Sequence, residues 1–323
     1  MQTMQPARPA SPFVEPWKAS PRTTLITALV IGVIVVISAA SFVVQRLWFT
    51  PDSVVSGYFA ALADRDAQQA QTYGGADVPA GLISSDKYVP PSKVTIDKID
   101  GKSDDRTAKV SFLIGDNKLS GEVKLQRKSE LTWGLFRGWE LTGDRPAIDI
   151  TTTAPVAVQV NGQTVNAEEG DASRHLEVFP GRYVVGLADN PLIESDPVTI
   201  DAGFGDSTAE LTPRIKADAK AEVDAQVKAY LKGCLTAATK PDSKCPFSIN
   251  YDVTRPAWRI DKYPAMELRL ADDGNVVAES TTDGQATLTG LGYGGTPVNE
   301  PSSFTLAGTV TVEQGAIKFT PQS

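Results

Sequence analysis

The stretch AKVSFLIGDNKLSGEVKL, residues 108–125, decides the fold class. Ala108, Val110, Phe112 and Ile114 recur at every second position in its first half, Leu119, Gly121, Val123 and Leu125 in its second, and Gly115-Asp116-Asn117 lies between. A period of two on both sides of a turn signal predicts an antiparallel hairpin with one buried face. Val94 and Ile96 offer a strand before it, and Trp133, Phe136, Trp139 and Leu141 a last strand after it, so the hairpin extends into a meander. Upstream, Thr50-Pro51-Asp52-Ser53 reads as a helix start: Thr50 can cap, Pro51 occupies a position that needs no N–H, and Asp52 suits the positive helix end. Val54, Val55, Tyr58, Phe59, Leu62 and Tyr73 then follow at helical spacing until Gly74-Gly75. A helix packed on an antiparallel meander predicts an α+β unit over residues 50–145.

Residues 150–211 have no helical period. Val156, Val158 and Val160 alternate into Asn161-Gly162, a hairpin-turn dipeptide, and Leu176 and Val178 lead to Pro180-Gly181 before Tyr183, Val185 and Leu187. Val198, Ile200, Ala209 and Leu211 complete a set of short strands that predicts a small β-sandwich. Thr212-Pro213 then repeats the earlier Thr-Pro helix start, and Val227-x-x-Tyr230-Leu231-x-x-Cys234 matches Val55-x-x-Tyr58-Phe59-x-x-Leu62. Strand patterns follow through Phe319. Residues 212–323 therefore read as a second helix-plus-sheet unit, either a diverged copy of the first or a coincidence over eight positions.

At the N-terminus, TTLITALVIGVIVVISAASFVV, residues 23–44, carries no charge and is long enough to cross a bilayer as a helix. Lys18 and Arg22 precede it, while Arg46 is followed by Asp52, Asp64 and Asp66, so positive-inside counting puts the N-terminus in the cytosol and the rest outside the cell membrane. Ser38-Ala39-Ala40 offers a competing reading as a cleaved leader, but the long flanking region and long apolar run favour a retained anchor. Residues 1–22, with Pro6, Pro9, Pro12, Pro16 and Pro21, read as a disordered tail. The net charge of −8 includes +2 from residues 1–44, leaving −10 for the remainder, which excludes a nucleic-acid partner that needs a basic face. The expected partners are instead the lipid bilayer, through residues 23–44, and a protein or cell-wall component of the envelope.

Val55-x-x-Tyr58-Phe59-x-Ala61-Leu62-x-x-x-Asp66, with a sheet behind it that ends in a Trp139 strand, resembles the NTF2-like fold. VQVNGQTV and VFPGRYVVGL, residues 158–165 and 178–187, resemble PEGA-type β-domains. An anchor with such units in series is similar to the teicoplanin-resistance-associated (TcaA-like) membrane proteins, without their N-terminal zinc ribbon, since residues 1–22 hold no cysteine. The expected fold class is thus α+β and all-β: one transmembrane helix, an NTF2-like unit, a small β-sandwich and a second NTF2-like unit. The resemblance implies binding or scaffolding in a bacterial envelope, with no enzymatic activity and no cofactor. The alternative is a small-ligand carrier or enzyme using an NTF2-like pocket.

Candidate chemistry is sparse. Cys234 and Cys245, with ten residues between them, predict a disulfide in an oxidising compartment, with two free thiols as the alternative. His175 stands near a strand start with no serine or cysteine motif beside it, which favours a structural or solvated role. Tyr58 and Asp66 are the possible pocket residues, since about two helical turns separate them and both could share one face. Tyr58 also belongs to the apolar stripe and Asp66 is an ordinary helix-surface residue, so structural roles are favoured for both. Asp272-Asp273-Gly274 and Glu168-Glu169-Gly170-Asp171 lack the ligand spacing of a calcium loop and read as hairpin tips.

Overall fold

A computed structural model describes residue 33 and residues 50–74, 78–132, 136–143, 145–165, 172–238, 244–249 and 252–322. The chain is dominated by strand, at 51%, rather than by two α+β halves. Three short helices open the first unit: α1 (Pro51–Ala63), α2 (Ala67–Gly74) and α3 (Gly81–Ser84). Thr50 and Ser53 form a reciprocal cap at the start of α1, and Val55, Tyr58, Phe59 and Leu62 face inward. The single helix expected up to Gly74 breaks at Arg65, which takes φ 59°, and the Asp66 carboxylate accepts the Gln69 N–H at the start of α2. A capping side chain there satisfies a donor that an unbroken helix would have used, so the chain restarts with a new helix.

Strands β1 (Ser92–Asp100), β2 (Asp105–Ile114), β3 (Asn117–Thr132) and β4 (Phe136–Thr142) form an antiparallel sheet in the order β1-β2-β3-β4. Phe59 of α1 packs on Phe112 of β2, ring centroids 5.3 Å apart. The second unit has two main sheets. One, ordered β11-β9-β6-β7, uses β6 (Val158–Val160), β7 (Gln163–Val165), β9 (Gly181–Leu187) and β11 (Val198–Ala202). The other, ordered β12-β5-β8, uses β5 (Ala147–Thr152), β8 (Ser173–Glu177) and β12 (Ser207–Leu211). Asn161 and Gly162 turn the β6–β7 hairpin with φ of 52° and 85°. Strands β10 (Ile193–Glu194) and β13 (Arg214–Ile215) pair where the chain enters the third unit.

That entry corrects the expected helix start. Thr212-Pro213 leads into β13, and α4 (Ala217–Ala237) begins after Lys216. Its strands separate into two sheets: β14 (Thr254–Lys262), β17 (Gly284–Leu291) and β18 (Pro297–Phe304) in one, ordered β14-β17-β18. The other is ordered β15-β16-β19-β20, from β15 (Ala265–Leu270), β16 (Val276–Thr282), β19 (Ala307–Glu313) and β20 (Ala316–Pro321). One helix on two sheets is not the first unit's three helices on one sheet, so the two NTF2-like units are overturned. The alternation located the strands, but which strands pair depends on contacts that a period of two does not encode. Gln226 fastens α4 to β20 by donating to the Ile317 carbonyl and accepting from the Phe319 N–H, both at 2.8 Å. Phe247, Trp258 and Phe304 cluster at centroid distances of 4.8 and 5.1 Å, and Cys234 and Cys245 are bonded, their Cα atoms 5.7 Å apart.

The membrane expectation is also corrected. Residues 1–22 lie outside the described residues, as does the 23–44 span apart from Val33, and no helix among the described residues is long and apolar enough to cross a membrane. The single-pass topology is set aside, together with the localisation and the bilayer partner drawn from it.

The first and second units are fused by a buried seam. The Tyr88 ring lies on the backbone of Gly181, where an added Cβ would stand 2.2 Å from a ring carbon. Its hydroxyl donates to the Pro180 carbonyl at 2.6 Å, and Val89 and Arg182 exchange backbone hydrogen bonds. Asn161 donates to the Leu82 carbonyl at 2.8 Å. Arg182 grips Asp201 with two N–H groups at 2.6 and 2.9 Å and also reaches the Ile114 carbonyl, while Asn117 donates to the same Asp201. The Arg182 hydrogen bonds hold the Asp201 carboxyl below its usual range. Its contribution to stability is therefore present above that range and lost as pH falls through the lowered value.

The Gly181 contact makes a paired prediction. Gly181→Ala forces a Cβ into the Tyr88 ring and should cost about 1–3 kcal/mol. Gly233→Ala, on α4 where a Cβ meets nothing within 4 Å, should instead gain about 0.5–1 kcal/mol. Urea unfolding midpoints of the two variants distinguish these signs, and a neutral Gly181→Ala would refute the close approach.

Candidate functional site

The seam leaves a recess of ≈ 280 Å³ at its edge. Each wall comes from a different element. Tyr58 and Phe59 project from the buried stripe of α1, and Leu141 and Thr142 end β4. Arg145 and Pro146 lie in the connection to β5, Phe179 and Pro180 precede β9, and Gly203-Phe204-Gly205 joins β11 to β12. Phe204 can lie there because Gly121 of β3 has no side chain: a Cβ at Gly121 would stand 2.3 Å from the ring. Phe204 then stacks against Phe112 with centroids 5.2 Å apart, which ties the second unit's loop to the first unit's core.

Arg145, Lys124 and Tyr58 bring polar groups to this apolar surface, beside Glu122 and Thr142. Arg145 donates to Glu177 at 3.0 Å and to the Gly74 carbonyl. Lys124 lies at the rim with its stem against Gly143. The Tyr58 side chain is 9% exposed, and its hydroxyl, which makes no hydrogen bond to a described residue, is not among the solvent-excluded polar atoms left without a partner. Burial pushes the Tyr58 phenol well above its ordinary pKa, while the nearby Arg145 charge pulls the other way without overcoming it. The phenol is therefore a neutral donor and acceptor at physiological pH.

Of the two pocket residues expected from sequence, the structure places Tyr58 in the recess and Asp66 elsewhere. Asp66 sits between α1 and α2 with its carboxylate engaged by Gln69, so the helix break separates the pair. Arg145, Lys124, Phe179 and Phe204 were not singled out by sequence. The available signals were an aromatic residue between two glycines at 203–205 and the Phe-Pro-Gly run at 179–181. Known protein families, characterised proteins and solved structures give no match to this chain. The recess is thus interpreted from its own chemistry.

His175 lies outside this recess. It faces Asp149 across the β5–β8 pair, Nδ1 to Oδ1 2.7 Å, and both side chains are exposed. Asp273 accepts the Asn275 N–H and side-chain amide in a turn tip whose Gly274 packs on the Pro155 carbonyl. Residues 168–171 lie outside the described residues, and no group of metal-ligating side chains occurs among those described.

The hydrogen bond to Asp149, aided by the charges of Asp149, Asp206 and Glu177, raises the His175 pKa. The protonated pair therefore contributes stability below the ordinary imidazole pKa and loses it as pH rises through the raised value. Because His175 is the sole histidine, one imidazole resonance should titrate above about 6.5. Asp149→Asn should return it toward that value; an NMR titration with no difference between the two proteins would refute the pairing.

Proposed function

We propose that the protein is a non-catalytic binding protein that holds a small ligand in the recess between its first and second units. The observation that carries this reading is the assembly of the recess itself: apolar side chains from both units enclose it, with a few polar groups directed into it, the usual composition of a small-molecule site. Its size lies at the lower end of such sites, which favours a ligand of one ring or a short chain. General acid–base catalysis needs a group that titrates near the working pH. Burial moves the Tyr58 phenol away from that range, so it is suited to hydrogen bonding rather than to proton transfer. This reading takes up the small-ligand carrier that stood as the alternative in the sequence, without catalysis, and puts its ligand at a unit junction, outside any NTF2-like cone.

Phenethyl alcohol, a neutral probe with one ring, should bind saturably to the full chain in calorimetric titration. Phe204→Ala removes one wall and Thr142→Trp covers the mouth, and each should weaken binding by about tenfold or more. Circular dichroism establishes that the variants fold. Saturable binding unchanged in both folded variants, or no binding of either this probe or its carboxylate counterpart phenylacetate to the parent protein, would reject the recess as the site.

A further inference from the structure

We infer that the ligand of this recess is an organic anion, a small monocarboxylate with an apolar body. The inference rests on the binding reading above and assigns its ligand class. The charges around the recess can be matched in pairs. Arg145 is held by Glu177 at 3.0 Å, and Glu122, the one carboxylate in the lining among the described residues, stands 3.7 Å from Lys109. Lys124 is left over: it has no ion-pair partner among the described residues, and its charge stands at the rim of an apolar recess.

Tyr58 supplies the second observation. The Tyr58 side chain is nine-tenths buried, it lines the recess, and its hydroxyl donates to no described residue, so the O–H is free to donate to a ligand that enters. Because the phenol stays neutral, it can donate to a carboxylate, a charge-assisted bond that is stronger than one between neutral groups. Arg145 uses one N–H on Glu177 and one on Gly74, which leaves further donors of its five-donor fork for a ligand oxygen. The ring or alkyl body of the ligand then lies between Phe179, Phe204 and Leu141.

The chain as a whole carries −8, so its general field repels an anion. Recognition of a carboxylate must therefore come from these local groups, and the affinity should be short-ranged and sensitive to single substitutions. An organic cation would meet the opposite balance: favourable long-range attraction, but an unpaired lysine and a guanidinium at the site itself.

Calorimetric titration of the full chain with phenylacetate and with phenethyl alcohol tests the assignment, since the two differ mainly in the charged end. Phenylacetate should bind about tenfold tighter. Lys124→Met and Tyr58→Phe should each reduce that ratio to about threefold or less, and Lys124→Arg should retain it. Tyr58→Phe keeps the buried ring and removes only the hydroxyl, so it separates hydrogen bonding from packing. If the alcohol binds and the carboxylate binds no better, the anion assignment fails while the binding reading stands. If neither binds, both fall. A phenylacetate preference that survives both Lys124→Met and Tyr58→Phe would also overturn the assignment.

Discussion

Tyr88 packs directly against Gly181, and a Cβ on any other residue at position 181 would overlap its ring. Glycine gives up a side chain there so that two units built from different sheets can share one core. The hydroxyl of Tyr88 is satisfied by the neighbouring Pro180 carbonyl, and its ring meets Tyr183, whose own hydroxyl reaches back to Phe179. A buried phenol is tolerable only when its polar end is matched, and here the two tyrosines are matched by carbonyls of a single short loop. Burial raises the pKa of both, so each stays neutral as long as the seam stays closed.

The recess follows from this contact. Phe179 and Pro180 belong to the loop that ends at Gly181, and the turn that carries Phe204 follows β11, the strand paired with β9 along Arg182 and Asp201. Fixing Gly181 under Tyr88 therefore sets one wall, and fixing Asp201 between Arg182 and Asn117 sets another. Tyr58 meets Phe179 edge-on at 6.2 Å, which closes the back. A change in the seam would alter the recess even though Tyr88 is not among its lining residues.

The sequence made the strands of residues 108–125 legible because each alternates one buried face with one wetter face, and the Asn161-Gly162 turn because few other dipeptides accept two positive φ angles. It did not reveal the partition of the third unit into two sheets. Strands with similar patterns can pair in several orders, and the order found here comes with long-range contacts such as the cluster of Phe247, Trp258 and Phe304, which the alternation does not encode. At the site, Tyr58 was readable from the apolar stripe of α1. Arg145 and Phe204 were not, since they lie in connections where no period operates, and Lys124 was not, since it is on the outward face of alternating strand β3; the three meet through long-range packing. Asp66 does not share the recess because its carboxylate caps the start of α2, a local preference that competes with the continuity of the helical spacing.

Among the described residues, strand β18 borders its sheet and pairs only with β17. Pro297 and Pro301 lie four residues apart within it, so both have the same parity and both turn away from β17. A proline presents no amide hydrogen, and the outward side of this border is interrupted at two of the points where a foreign strand would need to attach. The β18 border thereby carries a built-in barrier to the addition of a neighbouring molecule's strand.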